Sequence, residues 1–183
     1  YTISPLFASN QTKSFTFRSS WYKIKENTSS SEGRETVLYI RQADIRDLGK
    51  VTQLAHLLWN ETPYVNLMEE MERLLRGQTE VVFLAFIGEY PIGFAQCALR
   101  YDYVEGTSGL GNVGYLEGIY VRENYRNRGV ARALVEYCED WARSNGCTEF
   151  ASDCEITNID SYNFHLNLGF QEANRIICFV KKL

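Results

Sequence analysis

The chain is predicted to be an α/β (α+β) protein in which a mixed sheet lies between helices. Three observations carry that expectation. From residue 37 onward, β-type runs and amphipathic helical stretches follow one another in the order β-α-α-β-β-β-α-β-α-β. The 183 residues are 45% apolar and 14% aromatic, enough material for one ordinary core. One strand runs through a basic, glycine-containing turn directly into a helix.

The first strand is expected over 37–43, and Asp44 stands where a helix N-cap belongs. Ile45, Leu48, Val51, Leu54, Ala55, Leu58 and Trp59 then recur at helical spacing and define one apolar face. A second helix over 67–76 stops at Gly77. Residues 80–87 and 91–100 are strand-like and are separated by Gly88-Glu89-Tyr90, which predicts an antiparallel hairpin. A glycine-rich loop covers 104–111. The strand over 113–121 contains Gly114 and Gly118, the sign of a bulge or of a close approach by another chain segment. Val130, Leu134, Tyr137, Cys138 and Trp141 mark a helix that ends near Asn145-Gly146. A strand over 148–152, a helix over 158–168 ending at Gly169 and one or two closing strands over 170–180 complete the order.

Residues 1–36 read differently. Thirteen of them are Ser or Thr, the apolar ones keep no period, and the run from Thr28 to Gly33 reads as a linker. These residues form an N-terminal extension to a body over 37–183, either flexible or folded onto the body or a partner. The extension holds five basic and three acidic residues, which leaves 14 and 20 in the body, a net of -6. A body of that sign lacks the basic field of a nucleic-acid binder and suits a cationic partner. No stretch approaches the roughly 18 apolar residues of a membrane span, and no basic start leads into a long apolar run. Five cysteines (Cys97, Cys138, Cys147, Cys154, Cys178) form no CxxC pair and are expected as reduced core residues of a cytoplasmic protein.

The chemistry concentrates in residues 116–131. A helix start presents unpaired amides near the positive end of its dipole, and Gly129 allows a phosphate close approach to the backbone. Arg126 and Arg128 add charge, and the small Ala131 keeps the first turn clear. Such a turn suits a pyrophosphate. No HExxH, zinc-spaced Cys and His, GxSxG elbow or Walker loop is present, and no metal is expected.

The segment Arg126-x-x-Gly129-x-Ala131 resembles the pyrophosphate loop of the GCN5-related N-acetyltransferases (GNAT), written [QR]-x-x-G-x-[GA]. Asn158-x-x-Ser161-x-x-Phe164-His165-x-x-Leu168-Gly169-Phe170 is similar to a second segment of that family at the expected distance. Within the family the likeness is greatest to bacterial aminoglycoside 6′-N-acetyltransferases, carried by residues 100–107, 116–121, 129–134, 151–153 and 168–172. Residues 1–36 have no counterpart in this pattern.

The resemblance implies a sheet whose fourth and fifth strands splay, with acetyl-CoA as cosubstrate along Ile119, Tyr120 and Val121. Arg126, Asn127, Arg128, Gly129, Val130 and Ala131 would hold its pyrophosphate, with Asn158 and Ser161 as further contacts. The Val121 amide would stabilise the thioester oxygen, Glu117 would bind the acceptor amine and relay its proton, and His165, at a position often Tyr, would protonate the departing thiolate. Asp153 and Glu172 would contact ammonium groups of an aminoglycoside, and Trp59 and Tyr103 would wall its sugar. His56 is expected to be structural. The resemblance further implies direct transfer within a ternary complex and a homodimer. The acids at 117, 153 and 172 equally suit a polyamine, another small amine or a protein amino group, and a non-catalytic acetyl-CoA sensor would share the fold.

Overall fold

The computed structural model describes residues 20–25 and 35–183. Six strands form one sheet in chain order: β1 (Ser20–Lys25), β2 (Glu35–Gln42), β3 (Glu80–Ile87), β4 (Tyr90–Arg100), β5 (Val113–Val121) and β6 (Glu149–Ser152). All neighbours are antiparallel except β5 and β6, which are parallel. A parallel pair requires a crossover, supplied here by a helix. The helices are α1 (Leu48–Leu58), α2 (Tyr64–Arg76), α3 (Val130–Ser144) and α4 (Ile159–Leu168).

Helices cover the sheet on both faces, and the alternation of β3 shows it. Val82, Leu84 and Phe86 pack with Val51, Leu54 and Ala55 of α1 and Met71 and Leu74 of α2. Val81, Phe83 and Ala85 pack on the other face with Leu134, Cys138 and Trp141 of α3. A strand buried on both faces must read as an unbroken apolar run, which β3 does. Asp44 caps the chain as expected, although the cap serves a single 3₁₀ turn, Ile45–Asp47, that leads into α1. Asp47 returns a bond to the Asp44 amide and pairs with Arg41 at 2.6 and 2.8 Å.

The expected fork is present. β6 pairs with β5 only over Val113 to Leu116, so residues 117–121 of β5 have no strand on that side. These two strands are the fourth and fifth of the body; β1 shifts the count by one. The register of β5 against β4 also slips between Gln96 and Cys97, which inserts Glu117 as an extra residue.

Two expectations are corrected, the closing strands over 170–180 and the burial of Cys178, and one alternative left open for the N-terminal extension is decided for residues 20–25. Within the N-terminal extension, residues 20–25 form β1 on the edge of β2, and Tyr22 packs against the core, so this segment is folded onto the body. The linker expected over 28–33 lies outside the described residues. The closing strands expected over 170–180 are absent: residues 170–183 form no strand, and Ile176, Ile177, Phe179 and Val180 stand exposed. A strand needs an edge to pair with, and the neighbouring β6 is only four residues long. Cys178 lies in that segment and is exposed, and Cys154 is only half-buried, whereas Cys97, Cys138 and Cys147 are buried free thiols as expected. Among the described residues no helix is long and apolar enough to cross a membrane.

Candidate active site

The open edge of β5 defines the first half of the site. Arg122 donates its amide to the Ile92 carbonyl at 2.8 Å, so Ile92 and Arg122 are a hydrogen-bonded pair of the antiparallel ladder. Alternation then makes Gly93 and Val121 a non-bonded pair, and the Val121 N–H and C=O point away from β4 into the fork. The Val121 carbonyl accepts Arg126 Nε at 2.9 Å. Its amide faces the side on which β5 has no strand. Ile119, two residues earlier, shares this orientation, while Tyr120 bonds toward β4. Their side chains pack into the core on opposite faces of the sheet.

The turn beyond β5 builds an anion cradle. Glu123 to Tyr125 form a 3₁₀ turn, Asn127 takes a positive φ of 60° and Gly129 one of 81°. No side chain caps α3, so the amides of Val130, Ala131 and Arg132 lack intrahelical partners. A Cβ placed on Gly129 would meet nothing within 4 Å, and the space in front of these amides is therefore open. The Arg126 guanidinium lies over Tyr120 and that of Arg128 over Tyr125. The cradle thus fits a phosphate-bearing group by its own geometry.

α4 stands on the far side of the fork. Asn158 is its N-cap, accepting the Ser161 amide at 3.0 Å. His165 is fixed at both nitrogens: Nδ1 lies 2.7 Å from the Ser161 carbonyl and Nε2 lies 2.9 Å from Ser152 Oγ. A carbonyl only accepts, so Nδ1 carries a proton. Ser152 Oγ also lies 3.1 Å from the Leu116 carbonyl at the point where β5 and β6 part. Phe164 and Phe170 contact the ring edge to face.

The acidic half lies on the α1 face of the sheet. The bulge turns Glu117 and Gly118 together toward that face, and a Cβ on Gly118 would stand 2.6 Å from the Trp59 indole. Trp59 therefore walls this half and also meets Phe94 edge on. Glu117 is held by Arg100, whose Nε and Nη2 reach its carboxylate at 3.0, 3.0 and 2.9 Å. Burial pushes the Glu117 carboxyl above its ordinary range, and the nearby Glu80 and Asp153 push the same way, while Arg100 pulls it down. The Arg100 guanidinium stacks 3.4 Å from the Tyr115 ring centre, and the Tyr115 hydroxyl donates to Asp153 Oδ1. Burial and that carboxylate together raise the phenol far above its usual value.

Glu117, Asp153 and Trp59 are thus brought to one place. Glu172 is not tied to them: it pairs with Arg175 and accepts the Tyr162 hydroxyl, and Arg175 holds its carboxyl below the ordinary range. Tyr103 stands 69% exposed on the loop after β4. His56 packs edge on against Tyr64. Three residues went unnamed as site candidates: Arg100, Tyr115 and Gln96. Tyr115 and Glu117 lie two apart on a strand, a period-2 signal that was available. Gln96 sits across from Gly118, is 6% exposed, donates to Glu80 at 3.1 Å and leaves its buried Oε1 without a partner.

Comparison with known proteins places this geometry. Residues 51–170 match the family described as Acetyltransferase (GNAT) family. The chain is 37% identical over 144 residues to Aminoglycoside N(6′)-acetyltransferase type 1 of Acinetobacter haemolyticus, covering 79% of this chain and 98% of that one. It is similar to the structure of AAC(6′)-Iy in complex with CoA, with a TM-score of 0.78 at 34% identity, covering 82% of this chain and 98% of the other. A second structure of AAC(6′)-Iy, in complex with the bisubstrate analogue CoA-S-monomethyl-acetylneamine, gives 0.76 at 34% identity over 80% and 99%.

Proposed function

Because the chain belongs to the GNAT acetyltransferase family, we propose that it transfers the acetyl group of acetyl-CoA to the 6′-amine of aminoglycosides, and so confers resistance to them. The observation that carries the reading is the fork. The open edge of β5 and the uncapped start of α3 lie at one end of it, and Glu117 and Asp153 stand at the other, held by Arg100 and Tyr115. A thioester bound along the first would lie beside an amine held by the second.

Each residue then has a role in the proposal. Gly129, Val130 and Ala131 offer backbone to the pyrophosphate, and Arg126, Asn127 and Arg128 shape and charge the turn around it. Ile119 pairs its outward backbone with the pantetheine arm, and Tyr120 supports the strand. The Val121 amide donates to the thioester oxygen as negative charge develops there. Asn158 and Ser161 hold α4 against the cofactor.

Glu117 takes a proton from the bound ammonium, directly or through water, so that the neutral amine can attack; the N–C bond then forms, the C–S bond breaks, and the nitrogen sheds its second proton to water. His165 supplies a proton toward the leaving sulfur as an imidazolium, from Nε2 and through the Ser152 hydroxyl that it contacts, since Nδ1 is committed to Ser161. Asp153, Trp59, Tyr103 and Glu172 bind the drug, the acids through its other ammonium groups. Both substrates are present together, so transfer is direct. The product has exchanged a cation for a neutral amide and binds anionic RNA less well.

A homodimer and a cytoplasmic setting, with neither nucleic acid nor membrane as partner and no metal, belong to the same proposal. The exposed apolar residues of 176–180 support a second copy as their cover. Thiol release from acetyl-CoA tests the reading with kanamycin, tobramycin, a gentamicin lacking a free primary 6′-amine, spermidine and a Lys-containing peptide. Turnover with the first two and none with the blocked drug is expected. Turnover with spermidine or peptide alone would overturn the substrate, and tight cofactor binding without release from any amine would favour a sensor.

A further inference from the structure

We propose that Arg100 and Tyr115 form a spacer that sets the separation and orientation of the Glu117 and Asp153 carboxylates, and that this spacer makes the site select acceptors carrying a second ammonium group near the reacting amine. The inference rests on the transfer reading above and adds two specificity-determining residues to it.

The spacer runs across three strands at the root of the fork. Arg100 is the last residue of β4, Tyr115 and Glu117 lie on β5, and Asp153 follows β6 directly. Tyr115 is only 6% exposed and packs among Val104, Val113 and Ala151, so its ring is a fixed platform. The guanidinium stacked on that platform cannot rotate without losing either the ring or the carboxylate. One end of the stack therefore fixes Glu117, and the phenol at the other end fixes Asp153.

Each acid is held by part of its acceptor capacity only. Arg100 takes two bonds on Glu117 Oε1 and one on Oε2, and a carboxylate offers about four lone-pair sites. Asp153 spends Oδ1 on Tyr115, while among the described residues its Oδ2 has no protein donor. Two oxygens at a set spacing thus remain for two N–H donors. The charges agree: Glu80 and Asp153 both act on Glu117 beside the one guanidinium that pairs with it, Arg100, so the carboxylates outnumber their paired cation. A dication is the complement, and a monocation leaves one carboxylate unanswered.

The test compares two acceptors that each present a 6-amine on a glucose-type ring: neamine, whose ring carries a second amine and whose scaffold carries several ammonium groups, and methyl 6-amino-6-deoxyglucoside, with one. Steady-state kcat and KM are measured for the wild-type chain and for Tyr115→Phe, Arg100→Lys and Arg100→Met, with CoA affinity measured calorimetrically for each. Tyr115→Phe keeps the stack and removes only the bond to Asp153. The expected result is a ratio of kcat/KM, neamine over glucoside, that falls about tenfold in Tyr115→Phe, mainly through KM for neamine. Arg100→Met lowers the ratio further and Arg100→Lys restores part of it. Variants that lose activity equally with both acceptors, or a Lys variant no better than Met, would overturn the inference while transfer itself stands. Silence of the wild-type chain with both acceptors would overturn the transfer reading and this inference together.

Discussion

The Trp59 indole occupies the space in which any side chain at position 118 would stand, since a Cβ there would lie 2.6 Å from Cζ2 and 2.8 Å from Cη2 of the ring. Gly118 is therefore the residue that lets α1 close over the acidic half of the site. Gly118→Ala is expected to lower stability by about 1–3 kcal/mol through overpacking, and to raise KM for the acceptor as the ring shifts. Combining it with Trp59→Leu should recover part of the stability. Thermal unfolding of the three variants measures this, and additive losses would contradict the contact.

Gly129 is held at a φ of 81° with open space around its Cβ position. Gly129→Val forces a branched side chain into the left-handed region and into the space before the α3 amides. The expected result is a rise in the dissociation constant for CoA of about tenfold or more, with a strain of roughly 1–2 kcal/mol visible in unfolding. Calorimetric titration of CoA separates the two effects. Affinity unchanged in a folded variant would remove the cradle from the site.

In the proposed reaction Glu117 works as the carboxylate, and burial raises its pKa above the ordinary value. The value of kcat/KM is expected to fall as pH drops through that raised pKa, at a pH higher than an exposed glutamate would give. Arg100 pulls the pKa down, so Arg100→Met should move the acid limb to still higher pH. Glu117→Gln removes this limb and lowers kcat by about 10²–10⁴-fold, with CoA binding retained. A pH-rate profile in the three proteins checks the order.

The pair Arg41 and Asp47 anchors the entry to α1 away from the chemistry. The Arg41 guanidinium holds the Asp47 carboxyl below its usual range. A depressed carboxyl contributes stability above its unfolded pKa and loses it as pH falls through the lower folded value. Asp47→Asn is expected to cost about 1–3 kcal/mol near neutral pH, and the deficit should shrink in acid. Urea unfolding at the two pH values tests the sign.

Features that local chemistry dictates were legible in the sequence. The cradle needs glycine and an uncapped helix start, and Gly129, Arg126 and Ala131 announce it within six residues. The fork followed from the resemblance that this motif carries, and Gly118 marked a close approach whose partner, Trp59, only packing reveals. The acidic cluster was harder to read because its links are long-range: Arg100 reaches Glu117 across 17 residues and Tyr115 reaches Asp153 across 38. Such pairs depend on strand register and on a bulge, neither of which has a fixed residue signature. β1 escaped notice because its six residues lie in a Ser- and Thr-rich stretch with no matching period. The apolar run at 176–180 has strand composition without a strand to pair with, and composition alone does not supply an edge.

The most direct measurement is the position of the acetyl group on the product. Kanamycin incubated with acetyl-CoA and the chain should give a single monoacetylated species by mass spectrometry, with NMR locating the acetyl group on the 6′ nitrogen. The gentamicin without a free primary 6′-amine should give none. Acetylation at any other amine, or of the blocked drug at a comparable rate, would contradict the account.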